Sequence, residues 1–288
     1  MKRRDLILSV SRELFFWLGA IKVWLLRVML GKNIEVDGIV RLSPRVRIEI
    51  DKTSNLKLGR GCKVFSGQII AKNGSKIVMD DGLRISGKIE ADKGSKIYIR
   101  SGVVINGQLS VGGGGRLEVG EKSLVGRLET SEIVVDVFVD GGMMKLGKCV
   151  KLEGNVGVRF GGVLLMGDYS GIGEGSKILC DDQITIGGCV LISYDVSIYD
   201  TNTHTIDWKK RHGVIVKSFP KGAMEINKPE TKGVEIGDDV WIGERVSILK
   251  GSKIGRRSVI GTNCVVSNMK IPANSVVTGN KAKIVRKI

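Results

Sequence analysis

Only two imidazoles are available in 288 residues, His204 and His212. An imidazole, with its ordinary pKa of about 6.5, is the side chain best suited to draw a proton from a weak nucleophile at neutral pH. His204 lies in the run Asp200, Thr201, Asn202, Thr203, His204, Thr205, Ile206, Asp207, six residues after Ile198. It is the candidate base, with a solvated loop histidine as the plain alternative. His212, within Trp208, Lys209, Lys210, Arg211 and His212, belongs to no recognisable motif and reads as solvated. Asp200 could orient the imidazole or hold a substrate hydroxyl, and is equally the residue type that opens turns. Cys62, Cys149, Cys180, Cys189 and Cys264 are odd in number and form no CxxC pair, which indicates neither a disulfide framework nor a thiolate metal site. No metal is expected, and a reducing compartment is the simplest fit.

The elements that must carry these residues follow from composition. Glycine numbers 40 and proline 4, aromatics make up 5% and hydrophobic residues 42%. So much glycine argues against a helix-rich chain and so much apolar content against a disordered one. A turn-rich, all-β protein with a narrow aliphatic core is expected. The net charge of +16 points to an anionic partner: nucleic acid, a membrane surface or a phosphorylated ligand. From Arg245 to Ile288 there are ten basic residues and no acid, and the first fifty residues hold ten more against five acids.

A period of six organises the C-terminal third. Ile236, Ile242, Ile248, Ile254, Ile260 and Val266 are spaced six apart, with Gly237, Gly243, Gly255 and Gly261 directly after four of them. Two positions earlier stand Val234, Val240, Val246, Ser252, Ser258 and Cys264, all small or β-branched. No helix has that period, whereas a three-sided coil of short strands places one inward aliphatic on each side. Three hexads then make a turn, so Ile236 should stack on Ile254, Ile242 on Ile260 and Ile248 on Val266, at about the 4.8 Å spacing of neighbouring strands. Ile172, Ile178, Ile186, Ile192 and Ile198 carry the register through the middle, with a two-residue insertion near Asp181 and Asp182. A longer insertion spans residues 201–233. Upstream, Leu56, Ile77, Ile97 and Leu117 head units of 21, 20 and 20 residues, with Gly67, Gly87, Gly107 and Gly126 near the unit ends. Residues 130–160 follow no clear register. The expected organisation is an N-terminal segment over 1–32, looser coils over 33–160, hexad coils over 161–276 interrupted by the 201–233 insertion, and a tail over 277–288.

Residues 5–30 are dense in Leu, Ile, Val, Phe and Trp, interrupted by Arg12, Lys22 and Arg27. The longest uncharged stretch there, Leu14 to Ile21, is far short of the roughly 20 apolar residues a bilayer span needs. An amphipathic helix fits this segment, either capping the solenoid or contacting another subunit, or lying in a membrane interface through residues 1–30. A cytoplasmic chain, with or without peripheral membrane association, is expected.

The run from Ile236 to Val266, followed by Ile271, Pro272, Val276, Val277, Thr278 and Gly279, resembles the end of the hexapeptide-repeat acyltransferases, in particular the sugar O-acetyltransferases of the galactoside and maltose type. The resemblance is strong over residues 170–288; before that only a solenoid is implied. It implies a left-handed parallel β-helix, a homotrimer, and acetyl-CoA bound between neighbouring subunits. It also implies His204 as the base, because the family's catalytic histidine precedes a coil matching Ile236, Gly237, Asp238, Asp239, Val240, Trp241, Ile242 and Gly243. The carriers of acetyl-CoA would be Gly243, Gly261, Ser267, Asn268, Lys281 and Arg286, with Trp241 at the pantetheine groove or subunit interface. Two departures stand out: Lys281 replaces a proline of the family's terminal turn, and the link Ser267, Asn268, Met269, Lys270 is one residue longer than usual.

The implied reaction is acetyl transfer to a sugar hydroxyl of a surface polysaccharide or glycan precursor. An N-acyltransferase on an amino sugar would use the same base, and a non-catalytic solenoid scaffold is the reading from a different class. Nucleic acid is not an expected partner, because no stacking aromatics or binding motif accompany the charge.

Overall fold

The computed structural model describes residues 31–43, 45–66, 68–127, 135–222 and 227–287. The helix expected within residues 1–32 therefore falls almost wholly outside the described residues, as does Gly67. The chain divides into two compact units: residues 1–140 with 145–152, and residues 141–144 with 153–288.

In the first unit, short strands stack in parallel on three sides of a coil. One side holds Ile34–Val36, Asn55–Leu58, Lys76–Met79, Lys96–Ile99 and Arg116–Val119, pairing each with the next. Leu56, Ile77, Ile97 and Leu117 fall in one column, as the 20- to 21-residue spacing predicts. All four are buried, and so are Leu58, Met79, Ile99 and Val119 two positions on. The period-2 alternation of a strand thus supplies two inward side chains per side, with Lys57, Val78, Tyr98 and Glu118 between them only partly buried.

Corners turn backbone groups toward the interior, and buried serines satisfy them. Ser75 Oγ donates to the Ala91 carbonyl at 2.9 Å, while its own N–H donates to Ser54 Oγ at 3.1 Å. Asp51 does the same work on an outer corner: Oδ1 accepts from the Thr53 N–H at 2.9 Å and hydroxyl at 2.7 Å, and Oδ2 from the Asn73 N–H. The Thr53 hydroxyl first, then the Asn73 amide, hold this carboxyl well below the usual aspartate value.

In the second unit the hexad register is realised as expected. Ile236 pairs with Ile254, Ile242 with Ile260 and Ile248 with Val266. Upstream, Ile172 pairs with Ile192, Ile178 with Ile198 and Ile186 with Ile236. The architecture is a parallel β-solenoid. Residues 135–158, which follow no clear register in sequence, form the strands Val135–Asp140, Met143–Leu146, Lys151–Leu152 and Asn155–Val158.

Two features differ from the sequence reading. The 201–233 insertion is not only a loop, because Trp208–Ser218 is helical, with Asp207 as N-cap accepting from the Lys209 and Lys210 amides. This helix buries only Ser218, so no apolar stripe announces it. The C-terminal tail contains a strand, Lys283–Lys287, antiparallel to Ser275–Thr278. It covers the edge that the last coil would otherwise leave open.

Ile97 is fully buried between Ile77 and Leu117, so Ile97→Ala should cost about 2–5 kcal/mol, read as a lower urea midpoint. Because the Asp51 pKa is lower in the folded state than unfolded, its stabilisation is present above pH 3.8 and fades as pH falls through and below it. The gap in melting temperature between wild type and Asp51→Ala should therefore be widest near neutrality and narrow at acid pH.

Candidate active site

The insertion leaves the coil where the strand Ser197–Tyr199 ends and returns at Val234–Ile236. Its neck is closed by an antiparallel bridge between Thr201 and Thr231. The Asn202 N–H donates to the Glu230 carbonyl at 3.1 Å, and the Lys232 N–H to the Asp200 carbonyl at 2.8 Å. Glu230 also takes an ion pair from Lys250 on the next coil at 2.7 Å.

His204 sits immediately above this neck in a tight turn. Its N–H donates to the Asn202 carbonyl at 2.7 Å, while Thr203 adopts φ +63° and receives support from Thr201 Oγ1. The His204 side chain is exposed. A positive φ at a threonine is uncommon for a β-branched residue, and here it aims the following histidine outward. His212 lies on the exposed surface of the helix.

Asp200 is placed differently. Its side chain is fully buried, with Oδ1 accepting from the Asp181 N–H at 2.8 Å and Oδ2 from the Asp182 N–H at 2.9 Å. Burial pushes its pKa up, and the two amides and the Cys180 thiol partly offset that. The same burial, with the Asp200 charge beside it, raises the Cys180 thiol. Both carboxylate oxygens are thus occupied by backbone amides rather than facing the exposed imidazole.

The candidates for acetyl-CoA fall into separate places. Trp241 is half exposed on one side of the coil, in register between Leu191 and Val259. Gly243 and Gly261 follow on that side, where the Gly243 N–H donates to Ile260 and the Gly261 N–H to Val277. Arg286, on the antiparallel strand, pairs with Val276 of the same side. Ser267 and Asn268 lie at the edge from which the insertion emerges: the Asn268 N–H donates to the Lys250 carbonyl, and its Oδ1 accepts from Lys232 Nζ at 2.7 Å. Lys281 is exposed in the turn before the last strand. The structure therefore brings Asp200, His204, Ser267 and Asn268 to one edge, and gathers Trp241, Gly243, Gly261 and Arg286 on another side.

The acid-free stretch from Arg245 onward is compensated in part across the coils. Lys250 meets Glu230 and Lys253 meets Glu235, acids that lie 18 to 20 residues earlier and stand opposite because the coil stacks them. Sequence reasoning also missed Arg159, whose guanidinium makes two bonds to Asp181, at 2.8 and 2.7 Å. Asp181 and Asp182 were visible only as a break in the hexad register.

Residues 233–268 match the family described as bacterial transferase hexapeptide (six repeats). Over 130 residues the chain is 36% identical to a putative lipopolysaccharide biosynthesis O-acetyl transferase of Escherichia coli (strain K12), covering 44% of this chain and 61% of that protein. It is 34% identical over 111 residues to galactoside O-acetyltransferase of the same organism, covering 38% and 47%. The chain thus spans about half to three fifths of the length of these curated relatives. Among solved structures, a hexapeptide-repeat acetyltransferase from Vibrio cholerae O1 biovar eltor, complexed with acetyl coenzyme A, is 32% identical at a TM-score of 0.38, covering 46% of this chain and 64% of that one.

A Cβ added at Gly243 would lie 2.8 Å from the Thr262 backbone nitrogen. Gly243→Ala should therefore force the adjoining coil to shift and lower the melting temperature, checked by calorimetric unfolding.

Proposed function

We propose that this chain, whose residues 233–268 are bacterial transferase hexapeptide repeats, is an acetyl-CoA-dependent O-acetyltransferase acting on a sugar hydroxyl in surface polysaccharide or glycan precursor biosynthesis. The observation that carries the reading is His204, the exposed imidazole held at the neck of the insertion on the edge that also bears Ser267 and Asn268. Similarity to proteins named as O-acetyltransferases supports the reaction class.

The residues present fit the donor. Lys281 and Arg286 are exposed and form no ion pair among the described residues, which suits phosphates. The half-exposed Trp241 offers an apolar surface to the ligand. When bound, acetyl-CoA supplies an acetyl group activated as a thioester. His204 removes the proton from the acceptor hydroxyl as it attacks, and later returns that proton to the departing thiolate. Backbone N–H groups at a coil corner would face the developing oxyanion. Nothing in this sequence of proton transfers needs a cysteine nucleophile.

The separation of the two candidate groups supports a homotrimer. A second copy that presents its Trp241 side to the His204 edge would complete the site, and would cover Leu191 and Trp241, which are 59% and 52% exposed.

His204→Ala should bind acetyl-CoA with unchanged affinity by calorimetry while its transfer rate falls about 10²- to 10⁴-fold. Lys281→Ala should weaken binding. Absence of acetyl-CoA binding in folded wild-type protein would overturn the reading.

A further inference from the structure

A carboxylate in the interior of a β-solenoid needs an account. Val158 pairs with Cys180, and Leu179 with Tyr199, so Asp200 occupies the inward position that follows Val158 and Cys180 in the column. All three are buried. Coils with an ordinary corner need only an apolar or thiol side chain there. The difference at Asp200 is that the chain does not turn the corner but leaves the solenoid for more than thirty residues.

Hydrogen bonding shows what this departure requires. One coil earlier, the Arg159 N–H donates to the Cys180 backbone carbonyl at 2.9 Å. The equivalent donor on the next coil is the Asp181 N–H, and the equivalent acceptor would be the Asp200 carbonyl. That carbonyl is taken instead by the Lys232 N–H, at 2.8 Å, where the insertion returns. The Asp200 carboxylate stands in for it, receiving the amides of both Asp181 and Asp182. Asp181 is in turn held by the two-point contact from Arg159, with its own side chain fully buried.

We infer that Asp200, Asp181 and Arg159 form a positioning device that grafts the insertion onto the coil and sets the place of His204 through the backbone. Asp200 holds the coil below with its side chain and the returning strand with its carbonyl, and the Thr201–Thr231 bridge follows directly. Only three residues, 201–203, then separate Asp200 from His204. Asp200 is accordingly a positioning residue, its carboxylate engaged by the Asp181 and Asp182 amides rather than by the ring. Arg159 shares the task from a site 41 residues upstream of Asp200 that no motif marks.

This inference rests on the proposed role of His204, and its test is arranged so that the two can fail separately. Asp200→Asn keeps the shape but turns one acceptor into a donor facing an amide; Arg159→Met keeps the length and removes the two-point contact, while Arg159→Lys restores the charge. In the full-length protein, hydrogen exchange at the Asn202 and Lys232 amides should speed up at least tenfold in Asp200→Asn, more mildly in Arg159→Met, and recover partly in Arg159→Lys. For acetyl transfer, kcat should fall about 10²-fold with KM for acetyl-CoA little changed. Unchanged exchange at the neck in Asp200→Asn, or an unaltered kcat in an active enzyme, would overturn the inference. The exchange readout applies even to a protein without transfer activity, which would sink the proposed function alone.

Discussion

Every coil depends on the stacking of inward aliphatic side chains in parallel register. Leu56 over Ile77 over Ile97, and Ile236 over Ile254 over Ile271, are columns in which each residue supplies the floor of the one above. Burial is obtained chiefly between adjacent coils, so a change in one rung is felt by its two neighbours. A core of this kind has no room for unpaired polar atoms. Every described buried side-chain nitrogen or oxygen has a partner, and the serine rungs at the corners are how the turning backbone meets that demand.

The same constraint decides where chemistry can be placed. Side chains that point inward are committed to packing, and those that point outward on the flat sides lie in rows shared with other coils. A reactive group that must be singular needs a segment outside the repeat. The insertion after Tyr199 provides it, and the cost is a backbone carbonyl withdrawn from the ladder, which the Asp200 side chain replaces.

What could be read in the sequence follows from how local each determinant is. Hexad and 20-residue spacings are repeated and local, so the columns of Ile236, Ile254 and Ile97 were legible to the residue. His204 stands out in the sequence as a candidate because histidine is scarce and this one lies where the period breaks. The place of Asp200 is not legible there, since its side chain meets Asp181 and Asp182, 19 and 18 residues away across a coil. The helix Trp208–Ser218 was missed because it lacks an apolar stripe, and Gly213 within it argues against helix. The basic stretch after Arg245 looked uncompensated along the chain, yet Glu230 and Glu235 lie opposite Lys250 and Lys253. Contiguity in sequence is a poor guide to charge in a structure that folds every 18 to 20 residues back onto itself.

The Thr201–Thr231 bridge has a consequence for how such a protein can change. Because the ends of the insertion are pinned together, its interior is a closed loop whose entropic cost grows only logarithmically with length, by roughly 0.6 kcal/mol for each doubling. Residues can be gained, lost or exchanged within it while the coils above and below keep their register. A repeat core under strict volumetric constraint thus carries a segment under almost none. Diversification of the surface around His204 can therefore proceed without renegotiating the fold.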